Sequence, residues 1–304
     1  MTETPDAASL TGLTESPAET VLQSLLAAYQ LQARLTDRLT LCGSWNQPEP
    51  LAPHAWFHLV ESGVCYIRAA CLKEPVRLAA GDLIVFPEGA SHHLCSAERP
   101  EADTGGGACV LLCGEFRFGG TLVAPLLACL PACIHLSAAS GEGSLAGLAT
   151  MLRAEAANER FGSRAVMNKL SDALFVIALR HHIQHSPGDH GLLAALTDPR
   201  IAPALALIHA RPGDSWTVEA LAGHVHLSRA AFAQRFTDLL GEPPMRYLTR
   251  WRMTEAARLL RDPRASVSRI AADLGFETEA AFRRAFKRVH GTGPGALRRA
   301  SRAA

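Results

Sequence analysis

Leu221-Ala-Gly-His-Val-His-Leu-Ser-Arg-Ala-Ala-Phe-Ala-Gln-Arg-Phe-Thr-Asp-Leu-Leu240 is matched fifty positions later by Ala271-Ala-Asp-Leu-Gly-Phe-Glu-Thr-Glu-Ala-Ala-Phe-Arg-Arg-Ala-Phe-Lys-Arg-Val-His290. Phe232 and Phe236 align with Phe282 and Phe286, Gly241 with Gly291, Pro244 with Pro294, and Ser228 with Thr278. In each copy the two phenylalanines and a third apolar residue (Leu239, Val289) repeat at i, i+4 and i+7, one stripe of a helix. The Ser or Thr ahead of them can accept from the first free backbone N–H groups and start that helix. A shorter helix precedes each: Val218 to Gly223 capped by Thr217, and one beginning near Val267 capped by Ser266. His224 to Leu227 and Leu274-Gly-Phe form the turns. The pattern is a helix-turn-helix written twice, and double-stranded DNA is the partner it implies.

The faces opposite the phenylalanines are free to enter a groove. They carry Arg229, Ala230, Ala233 and Gln234 in the first copy, and Glu279, Ala280, Arg283, Arg284 and Lys287 in the second. Met245 to Arg261 reads as an amphipathic connector through Met245, Leu248, Trp251, Met253, Ala257 and Leu260. A rigid helix of that length can hold two recognition helices about one DNA turn apart, roughly 34 Å. Charge follows the same division. From Arg211 to Ala304 there are 17 Lys and Arg against 9 Asp and Glu, a net of +8, and the rest of the chain is −7 within an overall +1. A basic half joined to an acidic half places phosphate contact in one module and a different task in the other.

The acidic half changes period. A helix is expected over 19–36, with Val21, Leu22, Leu25, Leu26 and Tyr29 on one side. From Leu39 to about Phe118 short apolar runs (Phe57-His-Leu-Val, Val64-Cys-Tyr-Ile, Asp82-Leu-Ile-Val-Phe, Val110-Leu-Leu-Cys) alternate with glycine turns at Gly63, Gly81, Gly89 and Gly105 to Gly107. That spacing predicts a small β-barrel or sandwich. Helical periodicity returns over 145–185 (Met151, Val166, Leu170, Leu174, Ile177, Ile183), two helices that can transmit a signal or form a homodimer. The fold class expected is multi-domain α+β. It comprises a disordered tail over 1–18, a sensor domain over 19–140, a helical linker or dimerisation segment over 141–190, and an all-α DNA-binding domain over 195–304. No signal peptide and no apolar run long enough to cross a bilayer is visible, so a cytoplasmic protein without membrane partners is expected. All eight cysteines fall between Cys42 and Cys133 with no Cys-x-x-Cys pair, which argues against a zinc ribbon or a thioredoxin motif.

Residues 195–300 resemble the DNA-binding domain of the AraC/XylS transcription regulators. The resemblance rests on Asp198-Pro-Arg-Ile, Trp216-Thr-Val-Glu-Ala-Leu-Ala, Leu227-Ser-Arg-Ala-Ala-Phe-Ala-Gln-Arg-Phe, Gly241-Glu-Pro-Pro, Ile270-Ala-Ala-Asp-Leu-Gly-Phe and Pro294. It implies that Ala230, Ala233 and Gln234, then Ala280, Arg283 and Arg284, read bases, and that RNA polymerase is a partner. The stretch from Gly81 to His92, Gly-x5-Pro-x-Gly-x2-His, resembles the second motif of the cupin β-barrels, with Ser96 where that motif places Asn. The first cupin motif is reduced to His58, with His54 or Glu61 beside it.

Three readings of the amino half stay open: a structural or small-ligand barrel, a metal site, and a thiol sensor. The metal site would use His58, His92 and Cys113, a ligand set suited to zinc or a similar divalent ion. The chain as a whole resembles the reactive-chlorine-sensing group of AraC-type regulators, in which oxidised thiols switch an activator. That resemblance points to Cys109-Val-Leu-Leu-Cys113 and to Cys42 as redox candidates. Cys129 and Cys133 read as packing residues. An enzyme is not expected, because the cupin ligand set is incomplete; a cupin enzyme fused to a DNA-binding domain is the remaining alternative.

Overall fold

The computed structural model describes residues 16–98, 107–119, 124–127, 129–140, 143–158, 160–185, 188 and 190–303, and among these nine antiparallel strands lie in the amino half. They are β1 (Gln32–Leu41), β2 (Asn46–Glu49), β3 (Ala55–Ser62), β4 (Val64–Ala69), β5 (Val76–Ala79), β6 (Leu83–Phe86), β7 (His92–Cys95), β8 (Cys109–Arg117) and β9 (Ile134–Leu136). One sheet has the order β1-β8-β3-β6-β9 and the other β2-β7-β4-β5. Both contribute to a single core of Val60, Cys65, Ile67, Leu78, Ile84, Phe86, Leu94, Cys109, Leu111 and Cys113. Each sheet turns one face to this core, and the interior strands β3, β6 and β8 are buried over most of their residues. The expected glycine turns are present at Gly63, Gly81 and Gly89, all with positive φ. Gly89 is required twice over: besides its φ of +67°, a Cβ there would run into the Ala52 and His54 carbonyls. Part of the turn expected at Gly105 to Gly107 lies outside the described residues.

The helix expected over 19–36 is shorter. α1 runs Pro17–Tyr29, with Ser16 Oγ accepting from Glu19 N at 3.2 Å, so residues 17 and 18 belong to it rather than to a tail, most of which lies outside the described residues. Gln30 then adopts a φ of 45° and ends the helix. Beyond it Ala33 and Leu35 are buried while Gln32 and Arg34 are exposed, a period of two that an apolar count over the whole window misread. By packing, the described residues up to Ala28 group with those from Ala195 onward, and the described residues from Tyr29 to Ala194 form the other unit.

Within the sandwich unit, α2 (Ala124–Leu127), α3 (Gly143–Ala157) and α4 (Ser163–His185) follow the strands. α4 covers edge strand β1: Ala33 N donates to Asp172 Oδ1 at 2.6 Å and Leu35 N to Asn168 Oδ1 at 3.1 Å. Side-chain acceptors thus satisfy N–H groups that an open sheet edge would leave bare. Met151 and Val166, two of the residues that marked the helical period, are 56% and 44% exposed.

The other unit is helical: α5 (Leu192–Thr197, which begins in the sandwich unit), α6 (Ile201–Ala210), α7 (Val218–His224), α8 (Arg229–Leu240), α9 (Pro244–Leu259), α10 (Val267–Asp273), α11 (Glu279–His290) and α12 (Pro294–Ala303). The four expected caps are formed, with Thr217, Ser228, Ser266 and Thr278 accepting from Ala220, Ala231, Arg269 and Ala281 N. Each such cap stabilises a helix start by about 1 kcal/mol. Gly241 and Gly291 close α8 and α11 in the left-handed conformation. α9 serves two cores: Tyr247, Leu248 and Trp251 are buried on the side of the first copy. Met253, Ala256 and Leu260 join Ile270, Leu274, Phe282 and Phe286 in the second. Met245, expected on the apolar stripe, is exposed. Among the described residues no helix is long and apolar enough to cross a membrane.

Candidate nucleic-acid interface and buried thiol–imidazole cluster

Phe232, Phe236, Phe282 and Phe286 are fully buried, and the ring centroids of each pair stand 5.6 and 5.7 Å apart. Burying that stripe fixes which side of α8 and α11 faces out. Arg229, Ala230, Gln234, Ala280, Arg283, Arg284 and Lys287 are exposed, and Ala233 and Glu279 are partly so. Several of these side chains are held locally. Arg229 pairs with Glu219 at 2.6 Å, Arg283 with Glu279 at 2.6 Å, and Gln234 donates to Asp238 at 2.7 Å. Exposed ion pairs of this kind are worth about 0.2–1 kcal/mol, less than the roughly 1–3 kcal/mol of a bidentate base contact. Arg284 and Lys287 have no ion-pair partner among the described residues.

Asp198, from the Asp-Pro-Arg-Ile stretch, explains how α8 is aimed. Its Oδ1 accepts from Ile201 N and its Oδ2 lies 2.6 Å from Arg235 of α8. Burial opposes its charge, but Arg235 and the two backbone donors hold it below the usual carboxylate range. Sequence reasoning missed His209, which is buried in α6. Its Nδ1 is 2.6 Å from Ser24 Oγ, its Nε2 is 2.7 Å from Tyr247 Oη, and its ring stacks on Trp251 at 3.9 Å. A histidine inside the otherwise apolar run Ile201 to Ala210 was the available signal.

In the sandwich, His58 of β3 lies opposite Cys113 of β8, and His92 reaches in from β7 of the facing sheet. His58 Nδ1 is 3.1 Å from Cys113 Sγ, His58 Nε2 is 2.7 Å from His92 Nε2, and His92 Nδ1 is 2.8 Å from the Ala90 carbonyl. A carbonyl only accepts, so His92 Nδ1–H donates to it and His92 Nε2 accepts from His58 Nε2–H. His58 Nδ1 is then left to accept from the Cys113 thiol. Every member of the relay is neutral and satisfied. The cupin-like motif supplies its frame: Gly81 and Gly89 make turns, Phe86 stacks on His92 at 4.0 Å, and Ser96 braces Trp45 instead of pointing at the relay.

This geometry corrects the expected metal set. His58 turns its two nitrogens to different partners, so His58, His92 and Cys113 form a line and do not converge on one point. Zinc needs at least three ligands around a common centre, and among the described residues no group of three His, Cys, Asp or Glu side chains could hold a metal ion. His54 and Glu61 stand elsewhere, 2.9 Å from Glu115 and 2.7 Å from Arg38. A zinc ion does not fit here.

The redox candidates are also separated. Leu41 pairs with Cys109 across β1 and β8, so Cys42 lies next to Cys109 in register, yet Cys42 is exposed and Cys109 buried. Cys109 and Cys113 share the inner face of β8, four residues apart, with different partners. Cys109 lies in the same core as Cys65 of the facing sheet. Burial pushes the Cys113 thiol well up, so it is protonated at rest.

Burial pulls His58 from the ordinary 6.5 to about 3, with the close His92 ring further disfavouring a second proton, and burial likewise takes His209 to about 3. A histidine kept neutral in the fold gains protons on unfolding below pH 6.5. Its contribution is complete above that pH and lost as pH falls toward 3, at about 1 kcal/mol per pH unit for each residue. Stability of the intact protein is therefore expected to drop between about pH 6.5 and pH 5, where few carboxylates titrate. Urea midpoints across that window read the drop, and a flat profile would contradict the neutral assignment of both histidines.

A family model for the cupin domain matches residues 20–184, and one for the helix-turn-helix domain matches residues 221–300. A putative AraC-like transcription regulator of Streptomyces antibioticus is 32% identical over 300 residues, covering 91% of this chain and 98% of that protein. The RCS-specific HTH-type transcriptional activator RclR of Escherichia coli is 27% identical over 287 residues, covering 91% and 96%. Among solved structures, the DNA-binding domain of AdpA in complex with a target DNA is 35% identical, covering 35% of this chain and 96% of that one, with a TM-score of 0.33.

Proposed function

The chain belongs to the AraC-like transcription regulators that join a cupin domain to a helix-turn-helix domain, and from this we propose that it recognises promoter sequences through α8 and α11 and takes an oxidant signal through thiols of the sandwich. The observation carrying the DNA half is the pair of capped recognition helices that bury Phe232, Phe236, Phe282 and Phe286 and turn Gln234, Arg283, Arg284 and Lys287 outward. Ala230, Ala233 and Ala280 are small enough to let the helices lie close to base edges. Arg229 and Lys287 meet phosphates, and Glu279, once released by Arg283, can accept from a cytosine amino group. RNA polymerase is the partner such a regulator acts on, and the cytoplasm, where the chromosome lies, is its place of action.

For the signal, Cys113 is the best-connected thiol. Oxidising it removes the proton it gives to His58 and leaves Nδ1 of a buried imidazole without a donor, a cost of roughly 1–3 kcal/mol. That strain falls on β3 and β8, the central strands. Cys113→Ser keeps a donor but not the sulfur chemistry, so it is expected to retain DNA binding and lose the response to hypochlorite. Mapping of bound promoters with and without hypochlorite checks this, and a full response in the variant would remove Cys113 from the sensor. A small-ligand reading is favoured by one observation, a cavity of ≈ 200 Å³ lined by Ser44, Trp45, Asn46, Arg68, Cys95, Ser96 and Ala97. A second copy of the chain is the proposed partner of α3 and α4, whose outer side presents Met151 and Val166 near exposed Phe161. Sedimentation at micromolar concentration is expected to give a dimer, and a monomer would count against it.

A further inference from the structure

We propose that the cavity on the outer face of the four-stranded sheet is a site for a small carboxylate, held by the Arg68 guanidinium and the Asn46 side-chain amide. The inference deepens the small-ligand reading of this cavity and rests on it. The cavity, of ≈ 200 Å³, has Trp45, Asn46, Arg68, Cys95, Ser96 and Ala97 in its lining. Asn46, Cys95 and Arg68 come from the neighbouring strands β2, β7 and β4. Ile67 and Leu94, next to Arg68 and Cys95 in the chain, belong to the core, so Arg68 and Cys95 lie on the opposite face. The site is therefore separate from the relay of His58, His92 and Cys113, which the same two-residue period turns inward.

The hydrogen bonds around the cavity use up side-chain acceptors and leave donors over. Arg68 Nε and Nη2 donate to Cys95 Sγ at 3.3 and 2.9 Å. The Cys95 thiol in turn donates to Asn46 Oδ1 at 3.4 Å, and His93 Nδ1 lies 3.0 Å from the same oxygen. An amide oxygen only accepts, so both its lone pairs are taken and His93 carries a proton on Nδ1. Ser96 Oγ accepts from Trp45 N at 3.1 Å. What remains is the Asn46 Nδ2 amide and the Nη1 end of Arg68, neither of which makes a hydrogen bond among the described residues. Arg68 also forms no ion pair there, although it belongs to the half of the chain with a net charge of −7. Sulfur is a weak acceptor, so this guanidinium is matched by a thiol and not by an acid. A guanidinium fork beside a second N–H donor suits the two oxygens of a carboxylate, which accept from arginine in parallel.

Size and lining define the rest of the ligand. A volume of ≈ 200 Å³ lies below the roughly 300–1,000 Å³ of sites for drug-sized molecules, so the occupant is a carboxylate on a short carbon chain. Trp45, packed against the core, and the Ala97 methyl group give that chain an apolar wall. The frame is held in place: Ser96 N donates to the Trp45 carbonyl at 3.0 Å, which with the Ser96 Oγ bond ties the segment before β2 to the end of β7. A carboxylate seated here bridges β2, β7 and β4 and draws Arg68 off the Cys95 sulfur.

Isothermal titration of the full-length protein with propionate, with propionamide (the same shape without the charge) and with inorganic phosphate tests the site. Propionate is expected to bind once per chain and at least about tenfold tighter than propionamide, the difference between a charge-assisted and a neutral contact. Arg68→Gln is expected to remove that preference and Arg68→Lys to keep part of it. Ala97→Leu narrows the cavity and leaves the charge, and is expected to weaken propionate as well. Equal binding of propionate and propionamide, or a preference for phosphate, would overturn the carboxylate site and leave the small-ligand reading standing. Binding of none of the three would overturn both. Propionate binding unchanged in Arg68→Gln and in Ala97→Leu would place the ligand elsewhere and overturn the site.

Discussion

Phe286→Ala is expected to destabilise the second helix-turn-helix unit by about 3–5 kcal/mol, the range for emptying a buried phenylalanine site, and to abolish specific DNA binding. Phe286 is fully buried, its ring lies 5.7 Å from Phe282 and 4.3 Å from His290, and Met253 of α9, Leu260 at its end and Ile270 of α10 line the same core. Those neighbours come from three helices already fixed by caps and by α9, so the cavity cannot close by sliding one of them. Losing that core releases α11, and with it Arg283, Arg284 and Lys287. Phe236→Ala is the matching change in the first copy, where the ring meets Tyr247 at 5.6 Å. Urea unfolding followed by circular dichroism reads the loss, and the sandwich unit is expected to keep its own transition. A cost below about 1 kcal/mol would mean that the repeated phenylalanines do not hold the recognition helices in place.

Arg284→Ala is expected to weaken binding to the preferred promoter by about 1–3 kcal/mol, roughly 5- to 150-fold, and to relax the choice of base at one position. Arg284 is exposed on α11 and pairs with no acid among the described residues, so its whole donor set is free. Arg283→Ala should cost less, because Arg283 first has to leave Glu279. Lys287→Ala is expected to act differently, lowering affinity for all sequences alike and reducing the salt slope by about one. Titration of each variant against preferred and scrambled duplexes at two salt concentrations separates these outcomes. Equal losses on both duplexes for Arg284→Ala would make it a phosphate contact.

The helical half was legible almost to the residue because its signals are local. A capping Ser or Thr, a pair of phenylalanines at i and i+4, and a closing glycine are each decided within one or two turns. Thr217, Ser228, Ser266 and Thr278 all cap as their positions require. Met245 failed because an apolar residue in a helix's first turn can match the stripe by spacing and still lie outside the packed region. The amino half was read as a β-structure, but β1 was half assigned to a helix. Leu35 satisfies both a helical and an alternating count, and only the break at Gln30 decides between them. Strands β2, β5, β7 and β9 carry three or four residues each, too few for alternation to register.

The site was legible as a set of residues and not as an arrangement. His58, His92 and Cys113 do meet, yet sequence cannot say which nitrogen faces which partner, and that detail separates a relay from a metal shell. The contact of His209 with Ser24 joins residues far apart in the chain, where spacing carries no information. In the same way, Cys42 is near Cys109 in register but on the other face, a consequence of the two-residue period that only the strand pairing reveals.

Selection of duplexes from a random pool by the full-length protein at low ionic strength tests the central claim most directly. Two recognition helices held by α9 predict an enriched site with two conserved clusters about 10 base pairs apart on one face of the duplex, and loss of the α11 cluster in Arg284→Ala. Recovery of a pool indistinguishable from the starting one would contradict sequence-specific recognition by the paired helices.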